Sequence, residues 1–204
     1  IEYARKGWKV FPIKDGTKGN KGEHYLTNGH NGASSDPATV GAWWKQWPDA
    51  NIGLNLAESG LVAVDPDLYK DDCEWHSFAR GVDIPNTLIQ TSASGGKHYI
   101  FKADESDIFK GVLCKSVEIK HKGYILLEPS TYQGGQYIFE TDDEPALAPE
   151  WIPRQAQSAP IQVKSNSNDL KRVKKLLQES ENDFERDDWI KLGLALKNSL
   201  GDDI

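Results

Sequence analysis

Two cysteines, Cys73 and Cys114, are all that the 204 residues contain, so a disulfide framework or a four-cysteine zinc site is excluded by count. Usage this sparse fits a reducing compartment. No stretch approaches the roughly 20 consecutive apolar residues that a bilayer requires, and no charged start with an apolar middle marks a secretory leader. The sequence therefore predicts a soluble, cytoplasmic protein with no membrane partner. Basic residues are in deficit as well: 24 Lys and Arg against 31 Asp and Glu give a net charge of −7. That argues against a protein coated in basic surface, because nucleic-acid affinity usually draws on cations that neutralise phosphates. Any such affinity has to come from lysines gathered locally, with Lys97, Lys120 and Lys122 as candidates, while the acidic excess serves metal binding and a solvated face. The chain opens at Ile1 without a methionine and ends on an unfinished helical pattern, which predicts a piece of a longer protein.

What is present is ordinary for a globular domain with a sizeable core: 38% hydrophobic and 27% charged residues. Helix and strand signals mix without regular alternation, which predicts an α+β fold. Residues 1–152 read as one domain. A linker is expected over 153–168, where PRQAQSAPIQVKSNSN lacks aromatics and is too polar to offset its ordering entropy. Over 169–204, Leu170, Val173, Leu176 and Leu177, then Trp189, Leu192, Ala195 and Leu196, recur at helical spacing and predict two helices. Within the first domain, Pro37 to Trp47 reads as a helix capped by Asp36 and followed by Pro48. Strands are expected at 9–13, 61–65, 97–101, 116–120, 124–128 and 136–139, with Lys122-Gly123 as a tight hairpin between two of them.

In GLVAVDPDL, Asp65 and Asp67 stand two apart at the end of an apolar run, so an extended chain projects both to one side. Pro66 between them favours extended geometry before it and tolerates only a strand end. In SVEIK, alternation puts Ser116, Glu118 and Lys120 on one face and Val117 and Ile119 on the other. In SASGGKHYIF, Gly95 and Gly96 permit a tight turn, with His98 at the start of the next strand. Asp65, Asp67, His98 and Glu118 thus share one expected sheet face. Their carboxylates repel one another unless a cation intervenes, and oxygen ligands of this kind suit Mg²⁺ or Mn²⁺. Taken singly each signal is common: aspartates two apart occur in many turns, and a lone His or Glu is more often structural.

In combination the segments ARKGWKVFPIK, GASSDPATVGAWWKQWPDANIGLNL, GLVAVDPD, TSASGGKHYIF, VEIKHKGYILLEPS and GGQYIF resemble the bifunctional DNA primase/polymerase family of plasmids and phages, a branch of the archaeo-eukaryotic primase superfamily. The resemblance covers most of residues 1–152. Its acid-x-acid motif falls on Asp65 and Asp67, its small-x-histidine motif on Gly96-Lys97-His98, and its third acid on Glu118, where aspartate is commoner. It implies a catalytic core with an RRM-like mixed or antiparallel sheet, followed by a small helical segment. Residues 187–203 resemble the start of a helical primase C-terminal domain, which implies a helicase domain further along in the intact protein and a bacterial or phage-infected host cell.

The resemblance further implies template-directed nucleotidyl transfer on single-stranded or primed DNA from nucleoside triphosphates. Asp65, Asp67 and Glu118 would hold two Mg²⁺ or Mn²⁺ ions, joined by His98 as the catalytic set. Gly95, Gly96, Lys97, His98 and Lys120 would bind the nucleotide. Rival readings are a metal-dependent nuclease, which clustered acids and a histidine also suit, and a noncatalytic replication-initiation module that binds DNA. Trp43 and Trp47, four apart on a helix, read as core packing before base stacking. Lys14, Lys18 and Lys21 stand among Gly16, Gly19 and Gly22 in a polar loop that either meets phosphate or is simply solvated. Cys73 and His76 have a spacing seen in zinc sites, with His24 or His30 as further donors, but no second cysteine pair completes such a site.

Overall fold

A computed structural model describes residues 1–20 and 22–155, and residues 1–155 form one compact unit. Lys21, all but the first three residues of the expected linker, and the expected helices of 169–204 lie outside the described residues. The described chain is α+β with mostly antiparallel strands. In order it forms α1 (Glu2–Arg5), β1 (Val10–Ile13), α2 (Pro37–Gln46), β2 (Asn51–Asn55), β3 (Leu61–Pro66), α3 (Trp75–Ala79), β4 (Leu88–Thr91), β5 (Lys97–Lys102), β6 (Val112–Cys114), β7 (Val117–Lys120), β8 (Tyr124–Leu127), β9 (Thr131–Tyr132), β10 (Gly135–Gln136), β11 (Ile138–Phe139) and β12 (Ala146–Leu147). Short 3₁₀ turns lie at Gly29–Gly32 and Ala57–Ser59. Among the described residues no helix is long and apolar enough to cross a membrane.

Two sheets dominate. The smaller runs β1-β2-β8, and the larger runs β11-β4-β5-β3-β7-β6 with β12 added in parallel beside β5. Strand β3 explains why the larger sheet sits in the middle. Its residues Leu61, Val62, Ala63 and Val64 are all buried, as a strand covered on both faces requires. Leu61 and Ala63 join Leu88 and Ile100 in a core shared with Leu54, Ile125 and Leu127 of the smaller sheet and with Val40 of α2. Val62 and Val64 join Phe101, Val117 and Ile119 in a second core, closed by Trp75 of α3, Phe109 and Ile152. A third cluster, Phe11, Ile13, Leu126 and Tyr137, includes residues from the smaller sheet. Each fully buried Phe, Leu or Ile contributes about 1.5–3 kcal/mol relative to exposure.

Helix α2 begins where the sequence places it. The Asp36 carboxylate accepts from the Ala38 and Thr39 amides, which the first turn leaves without helical partners. Trp43 and Trp44 pack against the first core, and the Trp44 indole N–H donates to the Ala50 carbonyl at 3.1 Å. Trp47 stacks on Tyr25 with ring centroids 4.5 Å apart.

Three local expectations are corrected. Residues 120–124 do not form a hairpin: β7 pairs with β3 and β6 in the larger sheet, whereas β8 pairs with β2 in the smaller. Gly123, at φ +101°, turns the chain from one sheet to the other, a conformation open mainly to glycine. Ser116 is not a strand residue. It sits at φ 56° before β7, and its hydroxyl donates to Asp72 at 2.8 Å. The strand expected at 136–139 is broken at buried Tyr137, so Gln136 pairs with Thr131 while Ile138 pairs with Thr91. The short strands β2, β4 and β6 appear where no strand was expected.

Candidate functional site

The face of the larger sheet that looks toward the smaller one changes character along its strands. On β3 the inward positions read Leu61, Ala63, Asp65, so the same alternation that builds the core delivers a carboxylate at its edge. Register then decides the neighbours. Asp65 pairs with Glu118 on β7, and Val64 pairs with Tyr99 on β5, so the next residues outward, Asp65 and His98, face each other. His98 Nε2 lies 3.6 Å from Asp65 Oδ1. One strand further, His98 pairs with Gln90 of β4. Gln90, His98, Asp65 and Glu118 therefore form one rung across four adjacent strands, and Lys120 lies two residues from Glu118 on the same face.

Asp67 follows just beyond the strand, where its amide donates to the Ser116 carbonyl at 3.0 Å. Its carboxylate pairs with Lys70 and stays near enough to Asp65 for the two charges to interact. The turn of residues 92–96 closes the β4–β5 hairpin against this end of β3. At Gly96 a side chain would begin 3.1 Å from the Pro66 carbonyl, so the absence of one allows the two segments to approach. Gly95 takes φ +87°, and its amide is spent on the Ser92 carbonyl at 2.9 Å.

The electrostatics follow from burial. Desolvation is the main force raising the Asp65 carboxyl to about 6. The like charges of Asp67 and Glu118 add to it, and Lys120 and Lys18 pull the other way without prevailing. His98 is pushed down to about 3, first by burial and then by Lys120 and Lys18. Its ring is neutral, so its approach to Asp65 is a dipolar contact and not an ion pair. Burial also works against the charge of Lys120, but Glu118, Asp65 and Asp67 outweigh it and raise its pKa. Lys120 Nζ contacts Glu118 and stands 3.7 Å from Asp65.

Gln90 settles which nitrogen of His98 carries the proton. Fully buried, it places Nε2 2.6 Å from the Leu126 carbonyl and 2.7 Å from His98 Nδ1. An oxygen in that position would face the Leu126 carbonyl, so the amide nitrogen is assigned there and both its hydrogens are used. His98 Nδ1 must then accept, which leaves Nε2–H as the donor on the side of Asp65. Among the described residues the Gln90 Oε1 has no hydrogen-bond partner. An orphaned buried oxygen costs about 1–3 kcal/mol, a strain typical of functional sites.

Of the residues singled out from sequence, Asp65, His98, Glu118 and Lys120 meet on one face, with Asp67 at its margin. Lys97 does not join them. As the neighbour of His98 it points to the opposite face, where Nζ pairs with Glu140 at 2.6 Å. Gly95 shapes the turn, but its N–H is already engaged. Sequence reasoning missed Gln90 and Tyr137 and left Lys18 open. Gln90 had a signal: it precedes residue 94, the centre of the turn, by the same four positions by which His98 follows it, and hairpin register makes such residues partners.

Between the sheets, Lys18, Asp65, His98, Lys120, Tyr124 and Tyr137 surround a cavity of about 150 Å³. Among the described residues no group of three or more His, Cys, Asp and Glu side chains stands close enough to hold a metal ion, and this includes the Cys73–His76 pair. The repulsion expected among the acids is relieved by lysines, Lys120 between Asp65 and Glu118 and Lys70 on Asp67. The donor set nevertheless fits a hard divalent cation. It offers carboxylate oxygens only, and burial of Asp65 raises its pKa more than Lys120 and Lys18 lower it.

Compared with known protein families, the chain matches the model described as bifunctional DNA primase/polymerase, N-terminal, over residues 1–151. No curated protein matches it.

Proposed function

The chain belongs to the bifunctional DNA primase/polymerase N-terminal family, and on that premise we propose that it performs template-directed nucleotidyl transfer in the replication of plasmid or phage DNA. A primer 3′-hydroxyl, or that of a first nucleotide, attacks the α-phosphate of a nucleoside triphosphate and pyrophosphate leaves. The observation that supports this reading best is the four-strand rung, which sets a neutral histidine beside a carboxylate of raised pKa and a second acid.

Asp65, Asp67 and Glu118 would hold two Mg²⁺ or Mn²⁺ ions, which when bound supply charge stabilisation at the attacking hydroxyl and the leaving phosphates. The chain's own groups do the rest. His98 keeps its proton on Nε2 and donates it in a hydrogen bond to a phosphate oxygen, and with Nε2 protonated and Nδ1 engaged by Gln90 it has no free lone pair to offer the cations. Lys120 supplies a mobile positive charge, exchanging its carboxylate contacts for phosphate ones. The walls of the inter-sheet cavity shield most of Asp65 from water, which strengthens the charge interactions there. Single-stranded or primed DNA is the template, and a helicase domain further along a longer chain is the expected companion.

The test incubates the protein with template, labelled nucleotides and Mg²⁺ or Mn²⁺, with and without primer. Extension that disappears in the Asp65→Ala, Asp67→Ala double variant, with native circular dichroism and a cooperative thermal transition retained, supports the assignment. Wild-type product from that variant ends it. Shortening of DNA without nucleotides points to a nuclease, and binding of DNA with no synthesis by the wild type points to a noncatalytic initiation module.

A further inference from the structure

Among the described residues Tyr69 is the one aromatic side chain left largely open to solvent, at 55%. The other tryptophans, tyrosines and phenylalanines described are buried or half-buried, as rings of such apolar area usually are. A single exposed ring is ordinary on a protein surface. Its position is what singles it out: Tyr69 stands two residues beyond Asp67, in the turn that follows the acid-bearing strand β3.

Local contacts set the ring there. The Lys70 amide donates to the Asp67 carbonyl at 2.9 Å, which closes the turn of residues 67–70, and the Lys70 ammonium holds the Asp67 carboxylate at 2.5 Å. Leu68 packs down against the second core, and its neighbour Tyr69 is left facing solvent. The ring nevertheless stays beside the acids. What burial it has, and then the Asp67 carboxylate at its hydroxyl, hold the Tyr69 phenol above the usual range. The Lys70 ammonium lies 5.9 Å from the ring centroid.

Neither Asp67 nor Tyr69 lines the inter-sheet cavity. At about 150 Å³ that cavity is well under the roughly 300 Å³ of a small whole-ligand site, so a nucleobase has to be received outside it. An exposed ring is what a base stacks on, whatever its identity, and an adjacent ammonium suits the phosphate of the same strand. A nucleotide stacked there lies against Asp67, on the side from which a hydroxyl can be presented to the acids.

We infer that Tyr69 is the stacking platform for the 3′-terminal base of a single strand of DNA, the nucleotide that presents the attacking hydroxyl, with Lys70 beside its phosphate. The inference rests on the proposed nucleotidyl transfer for the role of that terminus, but not for the stacking itself. Its test uses the full chain with Mg²⁺ and no nucleotides. Fluorescence anisotropy measures affinity for a 5′-labelled oligonucleotide that is intact, abasic at its 3′ end or abasic at an internal position, comparing wild type with Tyr69→Ala and Tyr69→Phe.

The wild type is expected to bind the intact strand about tenfold more tightly than the strand lacking its 3′ base, the scale on which one stacked base counts, and the internal gap should cost less. Tyr69→Ala should abolish that preference at an unchanged thermal midpoint, and Tyr69→Phe, which keeps the ring, should restore most of it. A wild type indifferent to the terminal base, or equally sensitive to the internal gap, overturns the inference. So does an alanine variant that keeps the preference, or a phenylalanine variant as poor as alanine, since the hydroxyl on Asp67 and not the ring would then be at work. A protein that reads the terminal base through Tyr69 yet makes no product in the synthesis assay overturns the polymerase reading and leaves the platform standing. Product formed by Tyr69→Ala at the wild-type KM for primer removes the platform and leaves the polymerase.

Discussion

Gln90 Nε2 approaches His98 Nδ1 at 2.7 Å inside the larger sheet, and the same amide nitrogen donates to the Leu126 carbonyl of the smaller sheet. One buried amide thereby ties the two sheets together and fixes the histidine's tautomer. Replacing it with leucine of similar volume removes both effects and also the orphaned oxygen. Gln90→Leu is expected to fold, to show a mixed His98 tautomer in nitrogen-15 NMR, and to raise KM for nucleotide by about tenfold, the scale seen when a group orienting a site histidine is lost. An unchanged His98 spectrum would show that the ring is oriented by other contacts.

The Asp65 carboxyl, raised from 3.8 to about 6, works against the fold once ionised. For a raised pKa the stabilising contribution is complete below the unfolded value and is lost as pH climbs through the folded one. In metal-free buffer Asp65→Asn should therefore exceed the wild type in stability at pH 7.5 by about 2–3 kcal/mol, at 1.36 kcal/mol per unit. The gap should close as pH falls toward 4. Urea unfolding at the two pH values checks this, and added Mg²⁺ should stabilise the wild type more than the variant.

Lys97 and Lys120 separate by face. Lys97→Ala, which breaks only the pair with Glu140, should leave KM for nucleotide within about twofold, whereas Lys120→Ala should raise it by about tenfold or more. Equal effects in steady-state assays would contradict the alternation of β5.

Gly135 abuts the turn of residues 92–96, and a side chain there would begin 2.2 Å from the Ala93 carbonyl. Backbone has to move to admit even a methyl group. Gly135→Ala is expected to lower stability by about 1–3 kcal/mol in chemical denaturation and to reduce synthesis as well, since the displaced turn leads directly into His98.

Tyr3, Tyr124 and Tyr137, the last at about 12, are held above the ordinary value of 10, each foremost by burial. Stability should hold to about pH 9 and decline above pH 10, where the unfolded chain ionises and the native one resists. Absorbance at alkaline pH, recorded beside circular dichroism, should show these phenols titrating only as the fold is lost.

Much of the site was legible because period-two alternation is local: the reading set Asp65 at the end of an apolar run and Lys120 on the face of Glu118, and the pairing of β3 with β7 has both there. Helix α2 was legible for the same reason, since Asp36, Pro37 and Pro48 act within a turn of themselves. What escaped depends on partners far along the chain. Nothing near Gly123 says that β8 leaves its neighbour for β2, a choice made by packing of Ile125 and Leu127 against Leu54. Lys97 and Lys120 look alike as letters, and only sheet position sends one to Glu140 and the other to the cavity. Lys18 differs from Lys14, which is turned back onto the Gly22 carbonyl, by fastenings from Tyr124 and Asn51 over 30 residues away.

The rung of Gln90, His98, Asp65 and Glu118 has a consequence for the order of events during synthesis. Its members come from strands that are paired out of chain order, β4-β5-β3-β7, so a nascent chain still lacking residues 117–120 has the histidine and the first aspartate but no opposing acid. The wall supplied by β8 and Tyr137 emerges later still. On the ribosome the centre stays incomplete until nearly the whole of the 1–151 segment is out, so a prematurely released fragment has no assembled site.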